Sequence, residues 1–81
     1  MHLEIITPEK QLFSGEVKLI KVPGSKGSFE ILKNHAPIIS TLEQGKIKVV
    51  DPEGKESFFT IGGGVIEAKE NKIIILAESY Q

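Results

Sequence analysis

The chain is 81 residues long, the size of one domain, and has no cysteine, which excludes disulfides and thiolate metal sites. Ten lysines, no arginine and eleven acids leave a net charge of −1. With four Phe and one Tyr, the sequence lacks the basic face and stacking aromatics of a nucleic-acid binder. No apolar run approaches the roughly 20 residues that span a bilayer, and the start lacks a basic-then-apolar signal region, so no direct membrane insertion is expected. A chain of this size buries only about 60 % of its unfolded surface, so the core is modest.

Leu3-Glu4-Ile5-Ile6-Thr7 reads as a first strand, stopped by Pro8, which cannot donate to a ladder. Leu12 to Val22 reads as one long strand. Its apolar phase changes after Gly15, from Val17 and Leu19 on one face to Ile20 and Val22 on the other, which predicts a bulge or a strand bent between two sheets. Pro23-Gly24 is a turn signal, Ser25-Lys26-Gly27 extends the loop, and Ser28 to Leu32 is a short strand. Pro37 drives Ala36 into an extended conformation and Asn34 tolerates positive φ, so the chain reverses at Lys33-Asn34 and enters Ile38-Ser40 extended.

Gln44-Gly45 turns the chain again, and Ile47 and Val49 alternate with Lys46 and Lys48 as in a half-buried strand. Asp51-Pro52-Glu53-Gly54 forms a hairpin loop, with Ser57, Phe59 and Ile61 alternating beyond it. After Gly62-Gly63-Gly64 come a strand over Val65–Ala68, a turn at Glu70-Asn71 and a last apolar strand over Lys72–Glu78. Short strands with turn signals every eight to twelve residues or so predict an all-β fold, an antiparallel β-sandwich or flattened barrel of about ten strands.

Little in the sequence suggests chemistry. A phosphate-binding glycine loop feeds a helix N-terminus, whereas Gly62-Gly63-Gly64 runs into the strand Val65-Ile66-Glu67 and reads as a tight bend between closely approaching strands. His2 and His35 are too few for a zinc site without thiols. The carboxylates are scattered singly, and no serine has a nucleophile-elbow context. Lys55, in the 51–56 hairpin, invites comparison with the modifiable lysine of lipoyl and biotinyl carrier domains, but lies between Gly54 and Glu56 without the Asp or Met neighbours of those carriers. No enzyme activity and no cofactor are expected. A carrier or a small ligand-binding β-module is the alternative.

Five segments nevertheless resemble one family in order and spacing: Leu12-Phe13-Ser14-Gly15-Glu16-Val17, Val22-Pro23-Gly24 with Gly27, Asn34-His35-Ala36-Pro37-Ile38, Gly45-Lys46-Ile47, and Gly62-Gly63-Gly64 followed by Glu67. The ending Leu76-Ala77-Glu78 matches as well. The family is the epsilon subunit of the F-type ATP synthase, in its N-terminal β-domain, and the resemblance covers essentially the whole chain. It implies a β-sandwich at the foot of the central stalk, docked on the gamma subunit and on the polar loops of the membrane-embedded c-ring. Such a rotor subunit couples proton or sodium flow to ATP synthesis without a catalytic residue of its own, at the cytoplasmic face of the bacterial plasma membrane.

By position in the family, Thr7, His35 and Ser40 are expected to face gamma, and Lys26, Ser28, Phe29 and Glu30 to face the c-ring. Many family members carry an acid where this chain has Ser28. Glu30 projects from the same face of a strand two residues on, so Glu30, with Lys26 nearby, is expected to take over that polar contact. Family members typically continue into a C-terminal helical hairpin that inhibits ATP hydrolysis. These 81 residues stop where the β-domain ends, either as a naturally short member or as a trimmed one, and in both cases coupling without hairpin-based inhibition is the expectation.

Overall fold

The computed structural model describes residues 1–79 and folds them into nine strands. In chain order these are β1 (His2–Ile6), β2 (Gln11–Glu16), β3 (Leu19–Val22), β4 (Phe29–Leu32), β5 (Ile38–Leu42), β6 (Gly45–Val50), β7 (Glu56–Ile61), β8 (Gly64–Lys69) and β9 (Lys72–Ala77). One sheet has the order β2-β1-β9-β8-β5 and the other β4-β3-β6-β7. Alternation dictates the layers: Leu3 and Ile5 of β1, Ile66 and Ala68 of β8, and Ile73, Ile75 and Ala77 of β9 face Ile20, Val22, Ile31, Ile47, Val49 and Ile61 of the second sheet. Isoleucine dominates this core because its branched Cβ packs well on a pleated surface. Each such side chain, fully buried, stabilises by about 1.5–3 kcal/mol.

The long strand expected over Leu12–Val22 is broken in two. Val17 donates its N–H to the Met1 carbonyl of the five-stranded sheet (2.9 Å), and Lys18 donates to the Val50 carbonyl of the four-stranded one (2.8 Å). The chain therefore changes sheet between adjacent residues, the strand bent between two sheets that the phase change predicts. A bulge exists as well, earlier: Ile5 pairs Phe13 while Ile6 pairs Gln11, leaving Leu12 as the extra residue of β2.

The all-β sandwich is the expected one, and three details sharpen it. Among the described residues the strands number nine, close to the ten or so expected, and between Gly24 and Leu42 the pairing shrinks to a single bridge. Apart from that bridge, no pairing among the described residues joins the two sheets, so the sandwich stays open and no barrel closes. Nor is it wholly antiparallel, because β1 and β9 run parallel from His2↔Lys72 to Ile6↔Leu76.

The turns follow their residues. Glu70 and Asn71 both take positive φ (53° and 61°) and close a two-residue hairpin between β8 and β9. The triple glycine is the close approach that its composition predicts: a Cβ on Gly64 would lie against the Leu76 carbonyl oxygen, and one on Gly62 would lie 2.9 Å from that of Ser79.

Candidate docking surfaces

The loop after β3 is built for close contact with β5. A Cβ on Gly24 would sit 2.6 Å from the Gly27 carbonyl oxygen and 2.7 Å from the Phe29 ring, so only glycine fits. Gly27 donates to the Gly24 carbonyl (3.0 Å) with φ 124°, which tightens the turn. The loop is then tied across to β5: Ser25 N–H donates to Thr41 C=O (3.1 Å), Glu43 N–H to Pro23 C=O (2.8 Å), and Thr41 Oγ1 to Ser25 Oγ (2.9 Å).

Between this loop and β5 lies a recess of about 550 Å³ whose wall includes Lys26, Ser28, Phe29 and Ser40. Phe29 is half-buried against the core, and the Ser40 hydroxyl donates to the Thr41 carbonyl (3.2 Å). No carboxylate lines it; Lys26 is its one charged side chain. Glu30 stands outside, exposed on β4 and paired across to Lys21.

The structure thus gathers Lys26, Ser28 and Phe29 with Ser40, and it sets Thr7 and His35 elsewhere. His35 is exposed at the far end of the sandwich, beside Asn71 and Lys72. Its N–H donates to the Leu32 carbonyl (3.1 Å), and its Nδ1 lies 2.7 Å from the Ala36 carbonyl oxygen. A carbonyl oxygen only accepts, so that contact calls for the Nδ1–H tautomer. Thr7 follows β1 at the opposite end, about 17 Å away along a strand of five residues. It is buried, with its hydroxyl donating to the Lys10 carbonyl (2.9 Å).

One surface escaped the sequence reading. The outer face of the five-stranded sheet exposes Ile39 (72 %), Leu76 (56 %), Val65 and Ile74. Val65 stands directly opposite Leu76, and Glu67 lies between Ile39 and Ile74. The signal was the unbroken run Ile73-Ile74-Ile75-Leu76, apolar on both parities, which marks a strand covered on both faces.

Elsewhere the charges are solvated. Lys48 pairs with Glu56 at 3.4 Å, and His2 lies between the carboxylates of Glu4 (3.5 Å) and Glu16 (3.3 Å). The Ser79 hydroxyl, and then the backbone N–H of Glu9 itself, hold the Glu9 carboxyl below its ordinary pKa. Among the described residues no group of three His, Asp or Glu side chains is placed to hold a metal, and no helix is long and apolar enough to cross a membrane.

The chain that folds into these two stacked sheets matches one family model over residues 1–81, that of the ATP synthase delta/epsilon chain, beta-sandwich domain. The chain belongs to that family. It is similar to the ATP synthase epsilon chain of Chlorobaculum tepidum, 42 % identical over 76 residues that make up 94 % of this chain and 86 % of that one. It is also similar to the epsilon chain of Nitrosococcus oceani, 35 % identical over all 81 residues but over only 58 % of that longer relative.

Two solved assemblies share the fold. One is the Euglena gracilis mitochondrial ATP synthase, in its OSCP/F1/c-ring structure (TM-score 0.87, 21 % identity, 93 % of this chain and 48 % of that one). The other is the central stalk/c-ring of the Tetrahymena thermophila mitochondrial enzyme (TM-score 0.81, 18 % identity, 98 % and 63 %).

Proposed function

We propose that these 81 residues form the docking domain of an ATP synthase central-stalk subunit, which binds gamma and the c-ring and helps couple proton or sodium flow to ATP synthesis. The observation that carries this reading is the pairing of a rigid loop and recess at one edge with an apolar outer sheet face, in a chain that belongs to the epsilon family. The recess side, with Lys26, Ser28 and Phe29, and Glu30 beside it, would face the c-ring.

Gamma would lie along the five-stranded sheet. A standard interface of about 800 Å² per partner is wide enough to reach from the His35 end past Ser40 towards Thr7. In that contact His35 Nε2 supplies one directional hydrogen bond within an apolar surface. Thr7, being buried, acts by holding the turn it caps. The place of work is then the cytoplasmic face of the bacterial plasma membrane, reached through partners.

The test is co-purification with the gamma subunit of the same organism, with His35→Ala alongside. A stable one-to-one complex, weakened roughly tenfold by the substitution, is the expected result. A stable complex indifferent to His35→Ala would return His35 to its turn. Failure of gamma and c-ring together to retain the chain would sink the docking reading.

A further inference from the structure

β5 is one of four edge strands, with β2, β4 and β7. Exposed edges invite pairing with another chain, and charged side chains, bulges and shortness are the usual protections. β2 carries Glu16 and a bulge, β4 is four residues long and carries Glu30, and β7 carries Glu56. β5 reads Ile-Ile-Ser-Thr-Leu, without a charge. It also holds the most exposed large apolar residue among those described, Ile39 at 72 %.

The ladder shows which way its backbone points. The two-residue hairpin makes Lys69↔Lys72 a hydrogen-bonded pair, so Glu67 and Val65 also bond towards β9, while Ala68, Ile66 and Gly64 bond towards β5. Ile38, Ser40 and Leu42 are therefore held by β8, whereas Ile39 and Thr41 direct their backbone groups to the free side. Ser25 occupies the place beside Thr41. Beside Ile39 no backbone partner exists among the described residues, and its N–H and C=O, with the Pro37 C=O, look outward.

We propose that an extended segment of a partner protein adds to this edge as a short strand, with an apolar side chain beside Ile39 and an Asp or Glu side chain beside Ser40. The pattern follows from the pleat. A residue opposite Ile39 shares the apolar outer face, and its neighbour opposite Ser40 points inward to the recess, where Lys26 and the Ser28 hydroxyl wait and no carboxylate competes. A second copy of this chain does not fit: symmetric antiparallel pairing about Ile39 sets the copy's Pro37 opposite Thr41, where Ser25 already sits. The segment therefore belongs to a different subunit, and in that respect the inference rests on the docking reading above.

Amide hydrogen exchange on the purified synthase and on the free chain tests it, with Ile39→Pro and Lys26→Glu variants. Proline at 39 deletes the outward N–H together with the Ile39 side chain and leaves the bonds to β8 in place. On assembly the Ile39 amide should slow at least tenfold, while that of Ser40, already bonded to Ile66, should change little. Each variant should lose at least tenfold in retention by the complex at unchanged Tm. A chain retained in the complex with Ile39 exchange unaltered, or with both variants retained as well as wild type, overturns the added strand and leaves docking intact. A chain that is not retained at all overturns both. Slowing of Ile39 in the free chain as its concentration rises assigns the edge to a second copy and overturns the partner segment.

Discussion

Asn34 and Asn71, 37 residues apart, clasp each other with two hydrogen bonds: the Asn34 N–H donates to Asn71 Oδ1 (2.8 Å), and Asn71 Nδ2–H donates to Asn34 Oδ1 (3.0 Å). Both take positive φ, 66° and 61°. The pair ties the β4–β5 crossing to the β8–β9 hairpin and so holds His35, the next residue, in place. Asn71→Gly keeps the backbone and removes the clasp, and should cost about 1 kcal/mol in urea unfolding. Asn71→Ala should cost about 1 kcal/mol more, because alanine strains at this φ.

Gly64 offers a harsher test. A methyl group there meets the Leu76 carbonyl oxygen, backbone that cannot turn aside. Gly64→Ala should lose about 3 kcal/mol, which for a domain of this size lowers Tm by roughly 12–24 °C. Gly15→Ala is the control. Its added carbon meets only the Phe13 ring at 3.5 Å, and stability should move by no more than about 0.5 kcal/mol.

Phe13 on β2 and Phe59 on β7 meet edge to face, centroids 5.8 Å apart, across one open side of the sandwich. Both are half-buried. Alanine at either should cost about 2 kcal/mol, below the figure for a fully buried ring. A double-mutant cycle should show coupling of about 0.5–1.5 kcal/mol. Strict additivity would mean that the rings merely fill space.

Glu9 links acidity to the end of the chain. The Ser79 hydroxyl and the residue's own N–H favour its charged form. A carboxyl lowered on folding adds stability above its unfolded pKa and loses it as pH falls through the folded value. Ser79→Ala should raise the Glu9 pKa in an NMR titration. An unmoved Glu9 would show that the hydroxyl does not set it.

Turn chemistry and alternation made most strands legible, because Pro8, Pro23-Gly24, Asp51-Pro52 and Glu70-Asn71 act within a few residues. Sheet membership was not legible. Nothing near Leu3 announces that it lies beside Ile73, and the phase change after Gly15 suits a bulge as well as a crossing. The candidate docking surfaces divide in the same way. The loop around Lys26 shows its glycines and hydroxyls openly, but Ser40 joins it only because β5 is bridged to Gly24. Likewise His35 and Thr7 part company only through the direction in which β1 and β9 run.

That parallel pairing also bears on how the chain is made. β1 leaves the ribosome long before β9, the strand it needs beside it in the middle of the sheet, which ends at Ala77. Until Ala77 emerges, the β2–β1 pair has no lasting contact with β8 and β5, and the apolar faces of Leu3 and Ile5 stay uncovered. The nascent chain therefore cannot fold strand by strand as it is synthesised. It waits for β9 and then closes in one slow, long-range event, and over that interval it depends on whatever shields Leu3 and Ile5 from neighbouring nascent chains.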